Sequence, residues 1–341
     1  MLKMIALQRH MRGLIFVLLI SLIGCTQTPG QDSPQDEILD LPALKAVELN
    51  GNALKVVATT SIIGDVVAQV GGDAIELTTL MGPGQDPHSY TPGARELTAV
   101  ANADVIFVNG WNLEEGLVAD LDEISADIPL VPISAKIEPL IAGVDAHDHE
   151  QKDATANDHQ HSNVDPHVWF SIPNVTQWTQ NVAVVLSELD PQNSEVYANN
   201  AAAYLEALDA LAASVEPQLA AIPAEKRFLV TNHDTFSYFA NAYDFELIGT
   251  VIPAASTLAE PSASDLTELI AEMDTHAICT IFTENTINDA LAQTITAELD
   301  SCDEVRVVQL YTGALGTANS GADNYIDMFR TNVAAIVAGL R

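Results

Sequence analysis

The run Leu54-Lys55-Val56-Val57-Ala58-Thr59-Thr60-Ser61-Ile62-Ile63-Gly64-Asp65-Val66-Val67-Ala68-Gln69-Val70 changes its apolar period at Thr60. Before that point it is a short β-branched run, and beyond it apolar residues recur at helical spacing, which predicts a strand over 54–60 and a helix over 62–70. The same alternation continues with strand 75–80, helix 94–101 and strand 105–109. It recurs late in the chain as strand 228–231, helix 236–243, strand 247–251, helix 265–274, strand 277–283, helix 288–299, strand 305–310 and helix 324–340. Such alternation implies an α/β fold of two open, mostly parallel sheets wrapped by helices.

Between the halves the texture differs. Tyr197, Ala201, Tyr204, Leu205, Leu208, Leu211, Ala212, Val215 and Leu219 follow helical spacing with no glycine, and Pro217 lies near the end. At about 1.5 Å per residue this is a rod of roughly 40 Å, long enough to brace two lobes; the alternative is an ordinary core helix with a break. The expected boundaries are an N-terminal α/β lobe over 53–172, linking helices over 173–222 and a C-terminal α/β lobe over 223–341. Ligands of open α/β sheets bind beyond the carboxyl ends of the strands, so two facing lobes make a cleft between loops.

The 341 residues hold 13 Lys+Arg against 47 Asp+Glu, a formal charge of −34. A chain this acidic repels phosphate backbones and anionic head groups, which argues against nucleic-acid partners and polybasic membrane docking. Its 48% apolar content separates it from disordered acidic tails. Acidity favours cations, although a generally acidic proteome or a salty habitat explains the total equally well. Three cysteines are too few for a disulfide scaffold.

Residues 1–24 have the order of an export signal: Lys3, Arg9 and Arg12, then the apolar run Leu14-Ile15-Phe16-Val17-Leu18-Leu19-Ile20, then Gly24-Cys25. The ending Leu22-Ile23-Gly24-Cys25 resembles the lipobox of bacterial lipoproteins, which makes Cys25 the expected lipidation site; an uncleaved anchor is the alternative. Removing residues 1–24 takes away three basic and no acidic residues, so the charge moves from −34 to −37. Residues 25–52 read as a flexible tether. Export places Cys279 and Cys302 in an oxidising compartment, where neighbouring parallel strands can bring them into disulfide range; two independent buried thiols is the alternative.

Three histidines stand on strand-end loops. Asp86-Pro87-His88 follows the second strand behind Gly82-Pro83-Gly84, Asp165-Pro166-His167 repeats the tripeptide, and His233 follows the strand over 228–231. Any one of them alone is more often a structural residue. Three together in an exported acidic chain point to a metal site, and a three-histidine site needs one more donor to close a tetrahedron.

The strings Thr59-Thr60-Ser61-Ile62-Ile63-Gly64-Asp65, Asp86-Pro87-His88-Ser89-Tyr90, Asp165-Pro166-His167-Val168-Trp169 and His233-Asp234-Thr235-Phe236-Ser237-Tyr238-Phe239 resemble the metal-binding solute receptors of bacterial ABC uptake systems, a family of zinc and manganese receptors and adhesin-type lipoproteins. The resemblance runs from residue 54 to 340. It implies two Rossmann-like lobes, a rigid linking helix, and a metal held in the cleft by His88, His167 and His233. It also implies an ABC permease as partner, a lipid anchor, a monomeric chain and no enzymatic activity. Family members often supply a fourth ligand as Asp from a late loop, where this chain has Leu310-Tyr311-Thr312-Gly313-Ala314-Leu315-Gly316. Gly313 has no donor atom, so the expectation is three histidines plus water, or a recruited carboxylate, Glu284 first and Asp234 behind it.

His147, His149, His159 and His161 cluster with acids in a stretch without apolar period, a His-rich loop over 145–163. It reads as a weak capture loop for zinc, or as a merely solvated insert. Similar loops mark zinc members of the family, and His at the third position leans the same way, because manganese prefers carboxylate oxygen. Zn2+ is the expected ligand, with Mn2+ or iron as alternatives. A zinc-dependent hydrolase and a surface adhesin are the rival classes, but no His-Glu-x-x-His motif occurs. Trp111, Trp169 and Trp178 read as packing residues, with Trp169 close enough to His167 to wall the cleft, and His276 reads as structural.

Overall fold

The computed structural model describes residues 38–124, 128–141 and 164–341. Cys25 and the histidines at 147, 149, 159 and 161 lie outside the described residues. The first lobe contains β1 (Leu54–Ala58), α1 (Ser61–Gly71), β2 (Ile75–Thr79), α2 (Ala94–Ala101), β3 (Val105–Val108), α3 (Glu115–Ile124) and β4 (Leu130–Pro132). Two helices follow, α4 (Ile172–Leu189) and α5 (Ser194–Ala220). The second lobe contains β5 (Phe228–His233), α6 (Ser237–Tyr243), β6 (Glu246–Ile252), α7 (Ala263–His276), β7 (Thr280–Glu284), α8 (Ala290–Ile295), β8 (Arg306–Leu310) and α9 (Tyr325–Gly339).

The sheets have orders β2-β1-β3-β4 and β6-β5-β7-β8, and their paired strands are parallel. The two orders are the same topology used twice. In each sheet the chain order reverses at the first strand, β1 or β5, so the crevice beyond the carboxyl ends of these strands is where a ligand is expected.

Local chemistry explains the opening strand and helix. β1 is buried at Leu54, Val56, Val57 and Ala58, as a strand covered on both faces must be. The Thr60 side chain then accepts from Ile63 N at 3.2 Å and caps α1. A Cβ at Gly64 would fall 2.4 Å from Thr79 Oγ1, so only glycine lets α1 sit this close to the end of β2.

α5 is one continuous helix of 27 residues, with Pro217 in its last turn, so the expected rod is present without a break. It packs against α1 in the first lobe, against α4, and against α6 and α9 in the second. Its buried face is Tyr197, Tyr204, Leu208, Leu211, Val215 and Leu219. Direct hydrogen bonds add to this brace: Leu315 N donates to Ser61 Oγ at 3.0 Å, Tyr325 N to Asp65 at 2.9 Å, and Thr257 Oγ1 to Asp86 at 2.7 Å. No described helix is long and apolar enough to cross a membrane.

Several boundaries differ from expectation for physical reasons. Residues 38–52, expected as tether, are seated on the first lobe: Leu41, Leu44, Val47 and Leu49 pack on the core and Val47 N donates to Leu189 O at 2.8 Å. β7 starts at Thr280, not 277, because Ala277 takes a left-handed conformation (φ 52°) to cap α7. α8 is shorter than 288–299, since the chain leaves the helix after Ile295. Cys279 and Cys302 are joined in a disulfide with Cα atoms 5.7 Å apart, just ahead of the paired strands β7 and β8.

Candidate metal centre

The repeated Asp-Pro-His tripeptide does the same backbone job twice. Asp86 Oδ1 accepts from His88 N at 3.1 Å and Asp165 Oδ1 accepts from His167 N at 2.9 Å. Each aspartate folds back over its proline to fix the histidine two residues on, the side-chain turn that Asp favours. The first lobe holds the second copy as well, through Asn109 Nδ2 at the end of β3, which donates to Pro166 O at 2.9 Å. His233 needs no such turn, because it is the last residue of β5.

These elements bring the three histidines together. His167 Nε2 lies 3.2 Å from His88 Nε2 and 3.2 Å from His233 Nε2. One donor atom from each residue lies within 4.8 Å of the other two, and all three side chains are buried. Behind each ring stands a carboxylate: Glu115 at 3.2 Å from His88 Nδ1, Asp165 at 2.7 Å from His167 Nδ1, and Glu284 in hydrogen-bond contact with His233 Nδ1. A carboxylate can only accept, so each Nδ1 carries the proton and each Nε2 turns a lone pair toward the centre. Three converging lone pairs repel one another unless a cation or a proton sits between them, and this donor set suits a borderline divalent ion.

The electrostatics are uneven. Burial, with help from His233 and His88, holds the His167 imidazole well below the ordinary histidine range. Burial is the largest single influence on His233 and works against its charge, but Glu284, Asp86 and Asp165 together raise that group above the ordinary value. Burial pushes the Asp165 carboxyl up to about 6. Of these two rings, His233 is the one on which a proton competes with a metal at the higher pH. Below its raised value each displaced proton costs about tenfold in affinity per pH unit. Chelator-competition titrations between pH 8 and 5.5 are expected to show binding weakening as pH falls, steepening toward about tenfold per unit as His233 protonates; a flat profile would contradict proton competition at the rings.

The structure does not bring Glu284 into the donor group. It is 1% exposed at the end of β7, with Oε1 on the Nδ1 side of His233 and Oε2 accepting from Thr312 Oγ1 at 2.6 Å. Asp234 likewise lies outside the clustered donors, where its carboxylate accepts from Ser237 Oγ at 3.0 Å. Gly313 lies against the first histidine loop: a Cβ there would fall 2.8 Å from Pro87 Cδ. Trp169 packs edge-on to His167 with ring centroids 5.3 Å apart, and its Nε1 donates across to Thr312 O at 2.9 Å. Trp178 is a core residue bonded to Ser134 Oγ, and His276 is a surface residue 3.6 Å from Glu272. The residues sequence reasoning missed are Glu115 and the orienting role of Asp165; for the second, the acid two residues before both His88 and His167 was the available signal.

The chain matches the family model described as zinc-uptake complex component A, periplasmic, over residues 56–339. It is 33% identical to the manganese-binding lipoprotein MntA of Halalkalibacterium halodurans over 294 residues, 85% of this chain and 90% of that protein. It is 32% identical to the zinc-binding protein TroA of Treponema pallidum over 290 residues, 84% and 88% of the two chains. The solved structure of periplasmic TroA superimposes with a TM-score of 0.74 at 30% identity, covering 85% of this chain and 99% of that one. A manganese-bound periplasmic protein of Candidatus Liberibacter asiaticus gives 0.71 at 26% identity, covering 84% and 99%. With the family model matched along nearly all of both lobes, the chain belongs to the zinc-uptake complex component A family of periplasmic metal-binding proteins.

Proposed function

We propose that this chain is an exported, lipid-anchored receptor that captures Zn2+ in the cleft between its lobes and delivers it to the permease of an ABC importer. The observation that supports this most is the convergence of three buried Nε2 atoms from two lobes, each ring backed by its own carboxylate. An all-nitrogen donor set suits zinc better than manganese, which favours carboxylate oxygen. Relatives named for each metal exist, so the ligand is argued from the donors of this chain. His88, His167 and His233 are the ligands, and solvent completes the coordination. Cys25 carries the lipid, and the histidines at 147, 149, 159 and 161 raise the local zinc concentration without forming the tight site. Competition of zinc and manganese for the purified metal-free protein tests the assignment. One tight zinc site per chain with weaker manganese binding is expected, and tighter manganese binding overturns the zinc reading.

A further inference from the structure

The three carboxylates behind the imidazoles are not equivalent. Asp165 is local to the loop of His167, and Glu115 is partly exposed at 22%. Glu284 comes from a different strand, is fully buried, and is held at both oxygens.

Sheet register builds this third pair. β5 and β7 run parallel with Thr231 beside Phe282, so two residues on, at the strand ends, His233 stands beside Glu284. β7 and β8 pair Glu284 with Leu310, which places Thr312 two residues past the end of β8. The result is a row across three adjacent strand ends. Thr312 Oγ1 donates to Glu284 Oε2 at 2.6 Å, while Glu284 Oε1 accepts from His233 N at 3.2 Å and from His233 Nδ1. One carboxylate thus fixes both the backbone and the ring of a single ligand.

Resting on the metal-site reading above, we propose that Glu284 is a positioning residue for metal capture, and that Thr312 positions Glu284. With Oε2 taken by the Thr312 hydroxyl, Glu284 Oε1 accepts from His233 Nδ1, which selects the tautomer with hydrogen on Nδ1 and leaves Nε2 free for the ion. Thr312 stops the carboxylate from rotating away. The row also ties His233 to Trp169, because Thr312 O accepts from Trp169 Nε1. Metal-binding histidines elsewhere depend on such outer partners by 10- to 100-fold in affinity.

The test uses Glu284→Gln and Thr312→Val in the full chain, with zinc affinity from chelator competition and the His233 tautomer from nitrogen NMR of the metal-free protein. A neutral amide accepts more weakly and can present its NH2 group to Nδ1, which moves the ring proton to Nε2 through solvent exchange. Glu284→Gln is expected to lose about 10- to 100-fold in affinity with one site per chain retained, and to show a population of Nε2–H tautomer. Thr312→Val, which keeps the carboxylate but frees Oε2, is expected to lose about 2- to 12-fold. Wild-type affinity in both variants overturns the proposal. So does weaker binding in Glu284→Gln with the His233 tautomer unchanged, or a bound-state structure with a Glu284 oxygen at about 2.0–2.2 Å from zinc. If Glu284→Gln does not fold, Thr312→Val decides alone, and unchanged affinity there overturns the proposal. Undiminished binding by His233→Ala defeats the site reading itself, which separates the two failures.

Discussion

His167→Ala is expected to weaken metal binding by on the order of 10²–10³-fold, the largest effect of any single change in the cleft. His167 is the middle donor, with its Nε2 at 3.2 Å from both partners. Four-ligand zinc sites bind with roughly 10–16 kcal/mol, or about 2.5–4 kcal/mol per ligand, which converts to on the order of 10²–10³ in dissociation constant. The change also strips Asp165, 0% exposed, of its Nδ1–H donor, leaving only the backbone N–H of residue 167 on that oxygen. A buried acceptor left short of a partner costs about 1–3 kcal/mol. Metal titration and thermal melting of the metal-free variant should therefore both move. His276→Ala, on the surface and away from the cluster, serves as the comparison with unchanged affinity. If His167→Ala bound metal like the parent, the three-histidine centre would be wrong.

Trp169→Ala is expected to be the most destabilising change outside the donor set. The side chain is 1% exposed and packs against His167, Phe170 and Trp178 with ring centroids 5.3–6.2 Å away. Its Nε1 reaches Thr312 O at 2.9 Å, and its own carbonyl accepts from Tyr325 OH at 2.8 Å. Truncating a buried tryptophan costs about 3–5 kcal/mol, the lost transfer energy plus the cavity left behind. For a chain of this size that lowers the melting temperature by roughly 4–8 °C. Saturating metal should recover part of the loss, since a ligand at about 100 times its dissociation constant adds about 2.7 kcal/mol. A melting temperature within a degree of the parent would show that Trp169 does not hold the lobes to the centre.

How legible these features are depends on whether local sequence decides them. β1 and β3 stand out because a strand covered on both faces is nearly continuous in apolar residues, as Leu54–Ala58 and Val105–Val108 are. α3 and β4 are harder to see: Glu115–Ile124 carries three further acids or small polar breaks in its apolar pattern, and Leu130–Pro132 is three residues long and ends in proline. The seating of residues 38–52 escapes local reading because its partners are distant in sequence: Val47 N bonds to Leu189 O and Lys136 N to Leu39 O. The three histidines are readable because Asp-Pro-His occurs twice and His233 ends a strand. Their partners are less so. Glu115 is 27 residues from His88 and Glu284 is 51 from His233, separations that only the folded sheets resolve. Glu284 drew notice as a strand-end carboxylate, and the register of β5 with β7 turns it from a candidate ligand toward the far side of the ring.

The 27-residue span of α5 constrains how such a molecule can signal. A clamshell needs a soft joint, but here the joint is a stiff spar that touches α1 at one lobe and α6 and α9 at the other, with cross-lobe bonds at Ser61, Asp65 and Asp86 alongside it. Wide opening would mean bending the spar or unseating its buried tyrosines. A filled and an empty molecule are therefore expected to differ little in overall shape. If the proposed delivery to an ABC importer holds, the importer is expected to tell the two apart by the loops that carry His88 and His167 and the end of β5 at His233, and not by overall shape.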